Sequence, residues 1–149
     1  MVAGFVLADS AKATVTIDYV TVGDVGNAAD STGFGAVGYS YQISKYEVTN
    51  AQYAEFLNAV AATDSHVLYN SNMNFDARGG ITRSGVSGSF TYSLKADMGD
   101  KPVNYVSFLD AMRFSNWMHN GQGGGSTESG AYDMTQSAST VIHAGTATV

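Results

Sequence analysis

The sequence predicts an α+β domain, in which two main helices are carried on small antiparallel sheet elements, and three observations lead there. Tyr53, Phe56, Leu57 and Val60 follow the spacing i, i+3, i+4, i+7 of a helix with one buried face. Ala111, Phe114, Trp117 and Met118 supply a second apolar helical face further on. Elsewhere, short runs that alternate apolar and polar residues are bounded by Gly, Asn, Asp and Ser, as half-buried strands joined by turns are.

Length and composition set the frame. At 149 residues the chain is of one-domain length, enough to bury roughly two thirds of its unfolded surface. Hydrophobic residues make up 44% and charged residues 13%, which excludes a disordered chain and leaves a surface of Ser, Thr, Asn and Gly. Net charge is -6, and the seven Lys and Arg are scattered, so no basic patch is available for phosphates and nucleic acid is not an expected partner. Cysteine is absent, which removes disulfides, thiolate metal sites and cysteine nucleophiles. No run of 18 apolar residues occurs, so no membrane span is predicted.

Residues 1–13 resemble a truncated secretory-signal remnant: Val2 to Ala8 is apolar and Ala11-Lys12-Ala13 fits a small-x-small cleavage site. The basic segment that opens such signals is missing, and an ordinary first strand reads comparably well. Export to an extracellular or periplasmic space is the expectation.

From Thr14 to Val22, Val15, Ile17 and Tyr19 alternate with Thr16 and Asp18 and predict a strand. Gly23 to Gly38 has no periodicity and predicts a loop. Gly33, Gly35 and Gly38 match a dinucleotide-binding spacing, but the following Tyr39, Tyr41 and Ile43 alternate as a strand where that motif requires a helix. Asp24, Asn27 and Asp30 offer oxygens to calcium without the spacing of a calcium loop, so a solvated loop is expected. Thr49 and Gln52 form a capping box, Val48 and Tyr53 stand at staple positions, and a helix follows from about Asn50 to about Ala62, with Asn50, Glu55 and Asn58 on its wet side.

Asp64 to Gly80 predicts a long polar loop anchored by Tyr69, Met73 and Phe75. Ile81 to Arg83 and Phe90 to Leu94 predict a hairpin. After Pro102, Ser107 is the N-cap of a second helix, with Asp110 at its third position and Asn120-Gly121 as its stop. Asp110 and Arg113 predict a surface pair. Ala131 to Met134 and Thr140 to His143 predict two short strands. The two helices share Val-Thr/Ser before them and Phe-x-Asn within them, which reads as common capping chemistry without an internal repeat.

Two stretches resemble one family. Ile43-Ser-Lys-Tyr-Glu-Val-Thr-Asn-Ala-Gln-Tyr-Ala-Glu-Phe-Leu57 and Lys101-Pro-Val-Asn-Tyr-Val-Ser-Phe-Leu-Asp-Ala-Met-Arg-Phe-Ser-Asn-Trp117 are similar, in order and spacing, to segments of the formylglycine-generating enzymes, also called sulfatase-modifying factors. The resemblance covers about residues 14–149, read as the N-terminal half of the family's domain, a partial domain or fragment. It implies a C-type-lectin-like fold and, in catalytic members, oxidation of a sulfatase cysteine to formylglycine with copper held by cysteines. Copper and calcium enter only through this resemblance. No cysteine is present to carry over, so no catalytic, cofactor-binding or metal residue is assigned in this chain.

Other chemistry finds no pattern. His66, His119 and His143 are far apart and none has a two-histidine helical spacing. No G-x-S-x-G elbow occurs. Trp117 and the nine tyrosines are able to stack on sugars, but Trp117 falls on an apolar helix face and is expected in the core. Three functions follow as expectations: part of a sulfatase-modifying-factor domain, inactive as it stands; an exported, non-catalytic, lectin-like module that binds protein or glycan; or a structural surface protein. The oligomeric state is not legible. An uncovered apolar patch over the sheet and the Phe56 and Trp117 helices is expected of a partial domain.

Overall fold

A computed structural model describes residues 14–135. The expected signal remnant, the strand at 140–143 and His143 lie outside them. The element order is β1 (Tyr19–Val22), β2 (Tyr41–Ser44), α1 (Asn50–Val60), α2 (Asn72–Phe75), β3 (Ile81–Ser84), β4 (Thr91–Leu94) and α3 (Phe108–His119). β1 pairs with β2 and β3 with β4, each as a separate antiparallel ribbon, with Tyr19 opposite Ser44 and Ile81 opposite Leu94. Short antiparallel strands and helices make this an α+β arrangement.

Both helices begin as their sequences dictate. Thr49 Oγ1 accepts from Gln52 N–H while Gln52 Oε1 accepts from Thr49 N–H, and Ser107 with Asp110 repeats the arrangement at α3. The start of α1 gains a further restraint, because Asn50 N–H donates to Lys101 O and Ala51 N–H to Gly99 O, while Val103 N–H donates to Val48 O. Gly99 and Lys101, at the entry to the second motif, thus take up backbone donors at the start of α1, which a helix end otherwise leaves unpaired.

The core lies between α1, α3 and the β3–β4 ribbon. Tyr53, Phe56, Phe114 and Trp117 form one aromatic cluster with centroid separations of 5.4 to 6.1 Å. Tyr53 is held further by its hydroxyl, which donates to Leu68 O. Leu57, Leu68, Met73, Ile81 and Tyr92 complete the buried set.

Several expectations change. The first strand is confined to β1; residues 14–18 are not part of a strand, and Val15 is instead buried with its N–H and C=O both bonded to the side-chain amide of Gln122. The loop at 64–80 contains the one-turn α2, and of its three expected anchors Tyr69 and Met73 are buried while Phe75 is exposed. That loop is pinned by the Asp64 carboxylate, which accepts from Leu68 N–H, Tyr69 N–H and Arg83. Residues 131–134 are not a strand: Tyr132 is bonded through both backbone groups to the Asn116 side chain.

Asn50 is not on a wet face. It is 1% exposed, and its Nδ2 donates to Met98 O and Lys101 O. A Cβ at position 80 would collide with this amide, so the close packing there requires Gly80. Phe56 and Trp117 are likewise covered, at 0% and 2% exposure, so neither ring lies in an uncovered apolar patch. Exposed apolar residues gather instead on the first ribbon, at Tyr19, Val20, Tyr41 and Ile43.

Candidate functional site

Opposite residues of an antiparallel ribbon share a face, so Val20 with Ile43 and Val22 with Tyr41 form one face, and Tyr19 with Ser44 and Thr21 with Gln42 the other. The second face looks toward α3 across an open groove of about 760 Å³, lined by Ile17, Tyr19, Val48, Phe114, Met118 and Tyr132 among others. The groove is mainly apolar, and Ser115 and His119 are its polar residues on α3. The Ser115 hydroxyl donates to Ala111 O, a local helix bond, so no base activates it. The groove presents no paired nucleophile and base among the described residues.

On another side of α3 lies a charged cluster. Arg113 Nε and Nη2 donate to the two oxygens of Glu128 at 2.7 and 3.0 Å, a two-point pair, and Thr127 Oγ1 donates to the same carboxylate. His66 Nε2 stands 3.4 Å from Glu128 Oε1. The Arg113 hydrogen bond holds the Glu128 carboxyl below its ordinary range, and the same bond raises Arg113. This corrects the expected Asp110–Arg113 surface pair: Asp110 is buried in its capping box, and Arg113 turns to Glu128, a partner fifteen residues on.

The other sequence candidates resolve into structure. Trp117 is core, and its Nε1 donates to Gly123 O. In the first loop Asp30 accepts from Thr32 and Phe34, and Asn27 bonds Gly35 O and Val37 N–H, so these oxygens serve the loop backbone. Gly33 and Gly35 have φ of 85° and 89° and lie in the loop before β2, so a strand follows the glycines where a dinucleotide motif requires a helix. His119 lines the groove and His66 lies on the charged cluster, so the structure does not bring them together. Burial, with the Asp64 carboxylate adding to it, pushes Tyr92 up to about 12, and burial drives Tyr53 higher still. Neither phenol is poised to act as a base near neutrality.

Three carboxamide clamps escaped the sequence reading. Asn58 bonds the N–H and C=O of Tyr92, Asn116 those of Tyr132, and Gln122 those of Val15. The only signal was the Phe-x-Asn pattern common to both helices, which places an amide two residues past a core phenylalanine.

Fold and site together define a small α+β domain built on two capped, aromatic-faced helices, with an open apolar groove and no assembled catalytic group among the described residues. A family model described as the sulfatase-modifying factor enzyme 1-like domain matches residues 25–145, and the chain belongs to that family. No curated protein and no solved structure gives a significant match. Copper in the family's active members is held, by the resemblance noted above, through cysteines. This chain has none, and no group of three His, Cys, Asp or Glu side chains converges among the described residues, so the residues present do not fit that site.

Proposed function

We propose that this chain is a sulfatase-modifying-factor-like domain protein which, taken by itself, does not oxidise a sulfatase cysteine, and whose helices take their places in a C-type-lectin-like arrangement. One observation carries the reading: the residues that match the family's motifs form caps and core, from Thr49 and Ser107 to Phe56 and Trp117, while the thiolates that the chemistry needs are absent from the sequence. The test incubates the purified chain with copper, oxygen and a sulfatase-type cysteine peptide and follows the thiol by mass spectrometry. No aldehyde above a protein-free control is expected. Copper-dependent conversion would overturn the reading.

A second reading, a binding module for protein or glycan, is favoured by the aromatic residues that the first ribbon leaves exposed: Tyr19 at 57%, Tyr39 at 68% and Tyr41 at 38%. Tyr39 and Tyr41 stand edge to face at 6.2 Å, and such rings stack on sugars or on apolar side chains. A glycan array and a peptide display screen, each run with the parent and Tyr41→Ala, distinguish the two ligand classes. Capture of the same ligands, equally well, by the parent and by Tyr41→Ala would remove the ribbon from consideration.

A further inference from the structure

Asn120 is the one asparagine in the sequence followed by glycine. That pair carries a spontaneous chemistry, because glycine places no side chain between its own nitrogen and the preceding side-chain amide. Asn120 is exposed to water, stands at the C-cap of α3, and fastens the glycine-rich segment that follows: its Nδ2 donates to Ser129 O at 2.8 Å and to Ser126 O at 3.3 Å. Gly121 N–H, the attacking group, is itself bonded to Met118 O, and the helix-like φ of -82° and ψ of 11° at Asn120 turn the following peptide away from ring closure.

We propose that Asn120 is a deamidation site that the closed 121–130 loop holds in an unreactive pose, and that its conversion releases the loop. In the reaction the Gly121 nitrogen gives up its proton to water or hydroxide and attacks Asn120 Cγ. An N–C bond forms, the Cγ–Nδ2 bond breaks, and the amide nitrogen leaves as ammonia. Water then opens the cyclic imide to aspartate or isoaspartate, with no change of oxidation state. The product cannot restore the clamp. A carboxylate has no N–H to donate, stands against the carbonyl oxygens of Ser126 and Ser129, and adds a negative charge at the negative end of the α3 dipole.

The loop is also fastened by Trp117 at Gly123, Gln122 at Val15, Asn116 at Thr127 and Arg113 at Glu128, and of these Arg113→Ala loosens the part nearest Ser126 and Ser129 without touching the reacting atoms. The experiment keeps the full chain in mildly alkaline buffer, folded or in denaturant, and maps amide-to-acid conversion at every asparagine by peptide mass spectrometry. An isoaspartate methylation assay identifies the cyclic-imide route. Asn120 is expected to convert faster than the other asparagines in denaturant and at least about tenfold more slowly in the folded chain, in keeping with the loss of two hydrogen bonds needed for opening. Arg113→Ala should bring the folded rate toward the denatured one, and Asn120→Asp should raise protease cleavage within 121–130 while the rest of the chain stays resistant. Conversion of Asn120 no faster than its neighbours in denaturant, or at the same rate folded and unfolded, would overturn the proposal.

Discussion

Phe56 of α1 and Trp117 of α3 lie ring to ring, their centroids 5.4 Å apart, and each comes from one of the two stretches that carry the family resemblance. Phe114 joins both, at 5.5 Å from Phe56 and 5.7 Å from Trp117. The best specified words of the sequence therefore meet in the core, and what they specify is a helix-to-helix contact.

Removing either cap hydroxyl should cost about 1 kcal/mol, because each leaves a first-turn N–H without its side-chain acceptor. Thr49→Ala and Ser107→Ala should lower the urea midpoint by similar amounts, and the double variant by nearly the sum, as the two caps share no partner. An unchanged midpoint for Thr49→Ala would show that its hydroxyl does not cap α1.

Asn50→Ala is expected to be worse than either cap variant. Read from sequence alone, Asn50 faces water and its loss is near neutral; in the structure the side chain is buried and its amide donates to the carbonyls of Met98 and Lys101. Losing these two side-chain hydrogen bonds costs about 1–3 kcal/mol, at about 0.5–1.5 kcal/mol each. Chemical denaturation of the two variants side by side decides between the sequence and structural expectations.

Asn116 and Asn58 make the same two-bond clamp, but Asn116 is fully buried, reaches a third backbone group at Thr127, and is packed against Gly130, whereas Asn58 is exposed. Asn116→Ala should therefore destabilise by about 1–3 kcal/mol and Asn58→Ala by less, since water replaces an exposed partner. Hydrogen exchange should show the difference locally, with Tyr132 N–H losing protection in Asn116→Ala and Tyr92 N–H in Asn58→Ala.

The Arg113–Glu128 pair predicts a pH dependence. Because Arg113 lowers the carboxyl's pKa in the folded state, its contribution is fully present above the unfolded value near 4.5 and is lost as pH falls through the folded value below that. The difference in urea midpoint between parent and Glu128→Gln should be constant around neutrality and shrink as acid is added below about pH 4.5. A difference that grows on acidification would reverse the assigned sign.

The parts legible in the sequence were those whose cause is local. A capping box and a 3.6-residue apolar stripe set α1 and α3 to within a residue or two, and alternation with a glycine turn located the β3–β4 ribbon. What escaped was non-local. Periodicity places Asn50 at the edge of an apolar stripe but says nothing of the 98–102 segment that closes over it. Arg113 has an acidic neighbour three residues away and still pairs with Glu128, because Asp110 is already engaged by Ser107. Val15 and Tyr132 have strand-like alternation around them, yet their backbone partners are side-chain amides, which no strand pattern encodes. The groove is the least legible feature, since its lining comes from β1, β2, α3 and the segment beyond α3.

The central claim is that the two family stretches are joined as one core through Phe56 and Trp117, and a double-mutant cycle between these residues measures it. Trp117 is the sole tryptophan, so its native emission should be blue-shifted and should move to the red in Phe56→Ala if that variant exposes it. By circular-dichroism denaturation each single alanine variant should cost about 3–5 kcal/mol. The double variant should cost less than their sum by about 0.5–1.5 kcal/mol, the coupling of two contacting rings. Exposed-indole emission in the folded parent, with strictly additive losses and a Trp117→Ala cost below about 1 kcal/mol, would contradict the account.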